Sequence, residues 1–313
     1  MYEKIKRRIR AADYLTVAEL FLKSNFLLDR SLTFEDIKPR LLGHWGTCHG
    51  INVVYANLDF FFKNRPELQF ILGPGHGFPA LQANLFLDGA LEKVDAKASR
   101  NLSGIEYICK NFSAPGGFPS HSSPLTPGVV TEGGELGYAL GTAYGVSLGH
   151  PEKTVAVLLG DGEMETGTAL ASLNLSKLIS GPRNGRILPI LHLNEYKISG
   201  PTVLGRKSER ELNEFVRGFG FSPLTISGDN PERFQFILEK SETLEHPFLI
   251  LKTEKGATGP TELDGKKIAG NYLAHQIPLP NAKSSEAELK LLEEWLKSYK
   301  FEELYSEGKG FNL

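Results

Sequence analysis

Asp161 stands between two glycines at the end of one apolar run, and Asn194 closes the next such run, 33 positions further on. A carboxylate and an amide oxygen are hard ligands suited to Mg²⁺, which takes near-octahedral oxygen sets and is commonly shared between one or two protein groups, water and a phosphate. Gly160 and Gly162 leave the backbone around Asp161 free of side-chain bulk, so a diphosphate can approach closely. A bare Gly-Asp-Gly is more often an ordinary turn. Here the runs Thr154 to Leu159 and Ile187 to Leu193 both have strand length, and their spacing fits one strand–helix–strand crossover. Both residues are therefore expected just past the ends of neighbouring strands, where a cation can be held.

Histidines supply the second kind of chemistry. His76 lies in Gly73-Pro74-Gly75-His76-Gly77, directly after the compact apolar run Leu68 to Leu72, so glycines present its ring to a ligand; the alternative is a turn that happens to contain a histidine. His44 and His49 share a Gly-rich turn and could be loop ligands, substrate contacts or plain surface residues. His121 lies in a Pro-, Gly- and Ser-rich stretch, 112–137, whose length marks either a functional loop or a linker. That stretch also carries Glu132, Gly134, Glu135 and Leu136, ahead of a small-residue helix from Gly137 to Leu148. A Gly-to-helix junction of this kind offers backbone N–H groups to an anion. Late in the chain, His275 reads equally as a site residue or a surface one.

These residues have to be positioned by a large soluble fold. The chain has 313 residues, 41% hydrophobic and 23% charged, with a net charge of −2. That balance gives no global basic field for nucleic acid or an anionic membrane. No continuous apolar stretch follows the basic start, so neither a signal peptide nor a transmembrane span is expected. Cys48 and Cys109 cannot build a disulfide framework or a thiolate metal site by themselves, which suits a reducing cytoplasm.

The element pattern is alternating. Residues 1–43 read as a surface-wrapping helical segment, with a capping box at Thr16 and Glu19 ahead of Leu20, Phe21, Ser24 and Leu27. A helix with a stripe of Ile51, Val54, Leu58 and Phe61 or Phe62 follows the His44 turn. Strand Leu68 to Leu72 leads to a helix from Pro79 to Leu87. Beyond Asn194 come helix Glu209 to Arg217, strand Ser222 to Ile226, helix Pro231 to Thr243 and strand Pro247 to Thr253. A hairpin-like excursion follows Gly259-Pro260, and a second capping box, Ser285 with Glu288, opens a C-terminal helix over 285–305. The pattern predicts one α/β domain spanning 1–313, a mostly parallel, doubly wound sheet with helices on both faces. The loops GPGHG, GDGE, NEYK, SGD and TEKGATGP then fall at strand carboxyl ends, where open α/β sheets bind ligands.

Taken together, KPRLLGHWGT, GPGHG, SHSSP, EGGELGYAL, GDGE with ETG, LPILHLN with YKI, KG with TGP, and AHQ with PLP occur in an order that resembles the phosphoketolase family, within the transketolase-like thiamine diphosphate superfamily. The resemblance covers nearly the whole chain. It implies that Asp161, Asn194 and the Tyr196 carbonyl bind Mg²⁺. It also places Gly134, Glu135 and Leu136 along thiamine diphosphate, and Gly160 and Gly162 near the diphosphate. His44, His76 and His121 would line the sugar-phosphate and thiazolium pocket, with Glu132, Lys255 and His275 at further cofactor or active-site positions. The cofactor acts as electron sink in cleavage of a bond beside a ketone, while neutral imidazoles accept and return hydroxyl protons.

The resemblance is to the diphosphate-binding part of longer proteins. It implies that a separate chain supplies the pyrimidine-binding half, including the glutamate that activates the cofactor, in a heterodimer or heterotetramer acting on a ketose or 2-oxo substrate. Cys48-His49, Phe78-Pro79-Ala80 and Ala257 depart from the family pattern, which leaves the donor and acceptor open. The rival expectation is a non-catalytic, regulatory thiamine diphosphate-binding paralogue.

Overall fold

A computed structural model describes residues 1–65, 67–179 and 183–313. Its centre is a five-stranded, all-parallel sheet of β1 (Leu68–Leu72), β2 (Thr154–Gly160), β3 (Arg186–Leu193), β4 (Ser222–Ser227) and β5 (Pro247–Lys252), in the order β1-β2-β3-β5-β4. Successive residues of each strand feed opposite faces. Ala156, Leu158, Leu188, Ile190, Leu249 and Leu251 enter one core cluster, while Val155, Val157, Leu159, Leu191, Phe248 and Ile250 enter the other. Both faces being covered explains why these strands read as continuous apolar runs rather than as alternation.

The first face carries α1 (Tyr2–Phe21), α2 (Cys48–Phe62), α3 (Phe78–Leu87), α4 (Leu102–Asn111), α8 (Pro231–Ser241) and α9 (Glu286–Ser298). The second carries α5 (Ala139–Gly149), α6 (Gly167–Leu173) and α7 (Glu209–Gly218). A two-stranded hairpin, β6 (Glu262–Leu263) with β7 (Lys266–Lys267), forms the excursion expected after Gly259-Pro260. Among the described residues, no helix is long and apolar enough to cross a membrane.

Four expectations are corrected. Residues 2–21 form a core helix rather than a surface wrap, with every residue from Ala11 to Phe21 buried. Thr16 does not cap it: its hydroxyl donates to the Ala12 carbonyl (2.7 Å) within the helix, which ends before Ser24 and Leu27. A helix buried on most sides loses the amphipathic pattern from which such boundaries are read. At α9 the capping box is half formed. The Ser285 hydroxyl accepts the Glu288 amide (3.3 Å), but the Glu288 carboxylate instead accepts the backbone and side-chain N–H groups of Asn281 (2.7 and 2.9 Å). Finally, α4 has no counterpart among the expected elements.

His49 is neither a loop residue nor exposed. It lies in the first turn of α2, where Nδ1 meets Asp13 Oδ2 at 2.8 Å and Nε2 lies 3.7 Å from Asp229 Oδ2. Asn52 donates to the other Asp13 oxygen (2.8 Å), and Asn84 donates to Asn52 (2.7 Å), so this polar chain ties α1, α2 and α3 together inside the core. Burial alone would depress the imidazole's pKa, but the charges and hydrogen bonds of Asp13 and Asp229 outweigh it and raise it to about 10.

Candidate active site

Parallel pairing aligns Gly160 of β2 with His192 of β3, which brings Asp161 and Asn194 to one edge of the sheet. Asp161 is buried and held by four donors, three on Oδ2 and one on Oδ1. Its Oδ2 accepts the Asn194 and Glu195 amides (3.1 and 2.6 Å) and the Thr202 hydroxyl (3.2 Å); its Oδ1 accepts the Gly162 amide (2.9 Å). Glu195 adopts φ 72°, a left-handed turn that reverses the chain directly after Asn194. One cation already tests the arrangement. The Lys255 ammonium donates to the Tyr196 carbonyl (2.8 Å) and reaches Asn194 Oδ1 (3.5 Å), so these two oxygens converge on a single point beside the Asp161 carboxylate. Burial pushes Asp161 up to about 6, against the opposing pull of the Glu195 amide and the Lys255 charge, and pushes Lys255 down to about 8.

Facing this cradle are four imidazoles from four separate loops. The His44 ring lies 5.0 Å from that of His76, 5.6 Å from His121 and 5.2 Å from His275, centroid to centroid, and His76 lies 4.9 Å from His275. Burial, joined by mutual repulsion and the Lys255 charge, lowers His44 to about 4 and His275 to about 3, and holds His76 well below its ordinary value. Burial also lowers His121, with Glu132 opposing. The cluster is thus neutral near pH 7, the state in which an imidazole accepts a proton. His44 Nδ1 and His275 Nδ1 are buried with no hydrogen-bond partner among the described residues. Buried polar atoms are rarely left so, and these two are available to a ligand.

Both groups open onto one cavity of about 360 Å³, which Gly134, Leu136, Gly160, Gly162 and Ile198 help to line. Glu132 and Glu135 do not line it. Both are exposed, and Glu132 Oε1 accepts the Gly134 amide (3.1 Å). The GPGHG turn and the Glu132–Leu136 loop meet backbone to backbone: a Cβ on Gly75 would lie 2.3 Å from the Gly133 carbonyl oxygen.

Besides Thr202, three residues in and around the site escaped sequence reasoning. Glu163, the fourth letter of GDGE, lines the cavity, and its carboxylate accepts the amides of Gly160 and Gly137 (3.1 Å each). Thr47 also lines the cavity, and its hydroxyl meets His192 Nδ1 at 3.0 Å. His192 Nε2 in turn meets the Thr253 hydroxyl at 2.6 Å. The available signal for His192 was a lone polar residue inside the apolar run Ile187 to Leu193.

A family model described as XFP N-terminal domain matches residues 1–245 and 238–312. A protein of Bradyrhizobium diazoefficiens named probable phosphoketolase is 42% identical over 324 residues, covering 96% of this chain and 40% of its own length. A probable phosphoketolase of Streptomyces avermitilis is 43% identical, covering 95% of this chain and 40% of its own. The chain therefore spans about 40% of the length of the curated relatives it matches. Among solved structures, a transketolase from Campylobacter jejuni superposes with a TM-score of 0.64 at 18% identity, over 99% of this chain and 50% of that one. A transketolase from Leishmania mexicana gives 0.63 at 18%, over 96% and 45%. At that identity the likeness is one of fold.

Proposed function

We propose, from the premise that this chain belongs to the XFP N-terminal domain family, that it forms the diphosphate- and metal-binding half of a thiamine diphosphate-dependent enzyme of phosphoketolase or transketolase type. Such an enzyme cleaves a carbon–carbon bond next to the carbonyl of a ketose phosphate or related donor. The observation that carries this reading is the convergence of Asn194 Oδ1 and the Tyr196 carbonyl on one cation position beside a buried Asp161 that backbone amides hold in place. That donor set is all oxygen and suits Mg²⁺. Asp161, Asn194 and the Tyr196 carbonyl would hold the metal, with Gly160 and Gly162 beside the diphosphate and the Gly134-Glu135-Leu136 segment along the cofactor.

When bound, thiamine diphosphate supplies an electron sink for the breaking bond. The chain's own part is to orient and to move protons. His44, His76, His121 and His275 are neutral and close-packed, so each can accept a proton from a substrate hydroxyl and return it, and the free Nδ1 atoms of His44 and His275 are ready acceptors or donors. Glu132, on the exposed loop, stands where its charge acts on His121.

A separate chain bearing a pyrimidine-binding half completes the site in this reading, in a hetero-oligomer. Leu136 and Ile198 support it: both line the cavity yet remain 37% and 58% exposed, apolar surface at the mouth that a partner would cover. Calorimetry with thiamine diphosphate and Mg²⁺ tests the cofactor half of the proposal. Asn194→Ala is expected to weaken binding by about 100-fold, since it removes one metal ligand; unchanged affinity would overturn the assignment. For the partner half, turnover of a ketose phosphate by this chain alone would sink the idea. Cofactor binding that yields no turnover beside a pyrimidine-binding half would favour a regulatory role instead.

A further inference from the structure

We propose that Lys255 is the resident cation of the metal cradle, and that its displacement makes metal entry conditional on the diphosphate. The inference rests on the cofactor reading above and deepens it. Lys255 is among the largest fully buried side chains of the chain, at 2% exposure. Its backbone is fastened on both sides: the Gly256 amide donates to the Gly46 carbonyl (2.9 Å), and the Gly270 amide donates to the Lys255 carbonyl (2.8 Å). Only the four-carbon stem is free to move, and such a stem repositions an ammonium readily. At its end, Nζ lies 2.8 Å from the Tyr196 carbonyl and 3.5 Å from Asn194 Oδ1, with Asp161 as its chief opposite charge. These are the oxygens assigned to the metal.

A divalent ion bound to the same two oxygens would lie within a few ångströms of the ammonium, in a buried setting where like charges are weakly screened. The ammonium must therefore leave those oxygens as the metal arrives. With no anion beyond Asp161, which the metal itself engages, it would give up the two acceptors it has among the described residues and remain buried, which is costly. A diphosphate entering with the metal offers it a new counter-charge. Metal alone should then bind weakly, diphosphate should strengthen metal binding, and by linkage the metal should strengthen diphosphate binding by the same factor.

The test uses the full chain with Mn²⁺ as probe, free ion being read by paramagnetic resonance, with and without inorganic pyrophosphate. Lys255→Met and Lys255→Gln are compared with the wild type; the glutamine amide can still donate to the Tyr196 carbonyl, so a variant that folds is retained if methionine disrupts the loop. Both variants are expected to bind Mn²⁺ alone about fivefold more tightly or better, and the factor by which pyrophosphate enhances Mn²⁺ binding should shrink by about the same amount. Equal or weaker binding of Mn²⁺ alone by both variants would overturn the proposal, since it would make the ammonium a support of the cradle rather than its occupant. A distinct failure belongs to the cofactor reading itself: if the wild type takes up no Mn²⁺ even with thiamine diphosphate present, the cradle is not a metal site and the role of Lys255 falls with it.

Discussion

Glu163 and Gly137 are 26 positions apart, yet Oε1 of the one accepts the amide of the other at 3.1 Å, while Oε2 accepts the Gly160 amide at the end of β2. A single buried carboxylate thus fastens the loop before α5 to the strand that presents Asp161. Burial raises this carboxyl to about 7. Glu163→Ala should take this acceptor from one buried and one part-buried amide and cost about 2–4 kcal/mol. The expected result is a fall of several degrees in melting temperature with weaker diphosphate binding. Glu163→Gln, which keeps an acceptor oxygen, should lose less of both; equal loss in the two variants would contradict the bridging role.

Gly50 illustrates a place where packing reverses propensity. In an open helix, alanine is favoured over glycine by about 1 kcal/mol. Here a Cβ would lie 2.1 Å from His192 Nε2, and that ring is pinned by Thr47 and Thr253. Gly50→Ala should therefore destabilise by about 1–3 kcal/mol in spite of the helix preference. Combined with His192→Ala, which empties the space, it should cost little further. Chemical denaturation of the four proteins in the cycle measures the coupling, and strict additivity would show that the two residues do not compete for space.

Strand positions were legible because β2 and β3 are apolar runs of strand length bounded by turn residues, and Leu68–Leu72 forms β1 over the expected residues. Asp161 and Asn194 could be placed together because each sits one residue beyond its strand and the strands pair in parallel. The histidine cluster was different. His44, His76, His121 and His275 come from loops spread over more than two hundred positions, and no local periodicity brings such loops together; only the family resemblance linked them. His49 was unreadable for a related reason: its partner, Asp13, lies on α1, whose near-complete burial hid its place in the core.

The Asp13–His49 pair sets a dependence on alkaline pH. The folded-state pKa of His49, about 10, lies above the ordinary 6.5 because Asp13 and Asp229 outweigh the effect of burial. A raised pKa contributes stability that is fully present below pH 6.5 and is lost as pH rises through 10. The wild type should lose on the order of 2–4 kcal/mol across that window from this group. In Asp13→Asn the part of the slope due to His49 should be flatter, with lower stability at pH 7. Denaturant titrations at pH 7, 8.5 and 10 distinguish the two; parallel slopes would place the alkaline loss elsewhere.

Glu19 gives the opposite kind of pair, a buried acid whose carboxyl oxygens have no hydrogen-bond partner among the described residues. Its neighbour Lys38 donates instead to the Glu19 backbone carbonyl (2.6 Å) and to the Phe112 carbonyl (3.3 Å), so the ammonium is satisfied without the side chain. Burial raises the Glu19 pKa well above 4.5, with the Lys38 charge opposing. By linkage, its contribution to stability is greatest below pH 4.5 and declines as pH rises through the folded-state value, so at pH 7 the group is a liability. Glu19→Met keeps similar length, removes the unpaired oxygens and leaves both Lys38 acceptors in place. At pH 7 it should gain about 1–3 kcal/mol, seen as a higher denaturation midpoint. At about pH 3, below both the folded and the unfolded pKa, the acid is neutral in both states and most of the gain should vanish. A loss of stability at pH 7 would show that the fold compensates the buried carboxylate and would contradict its reading as a liability.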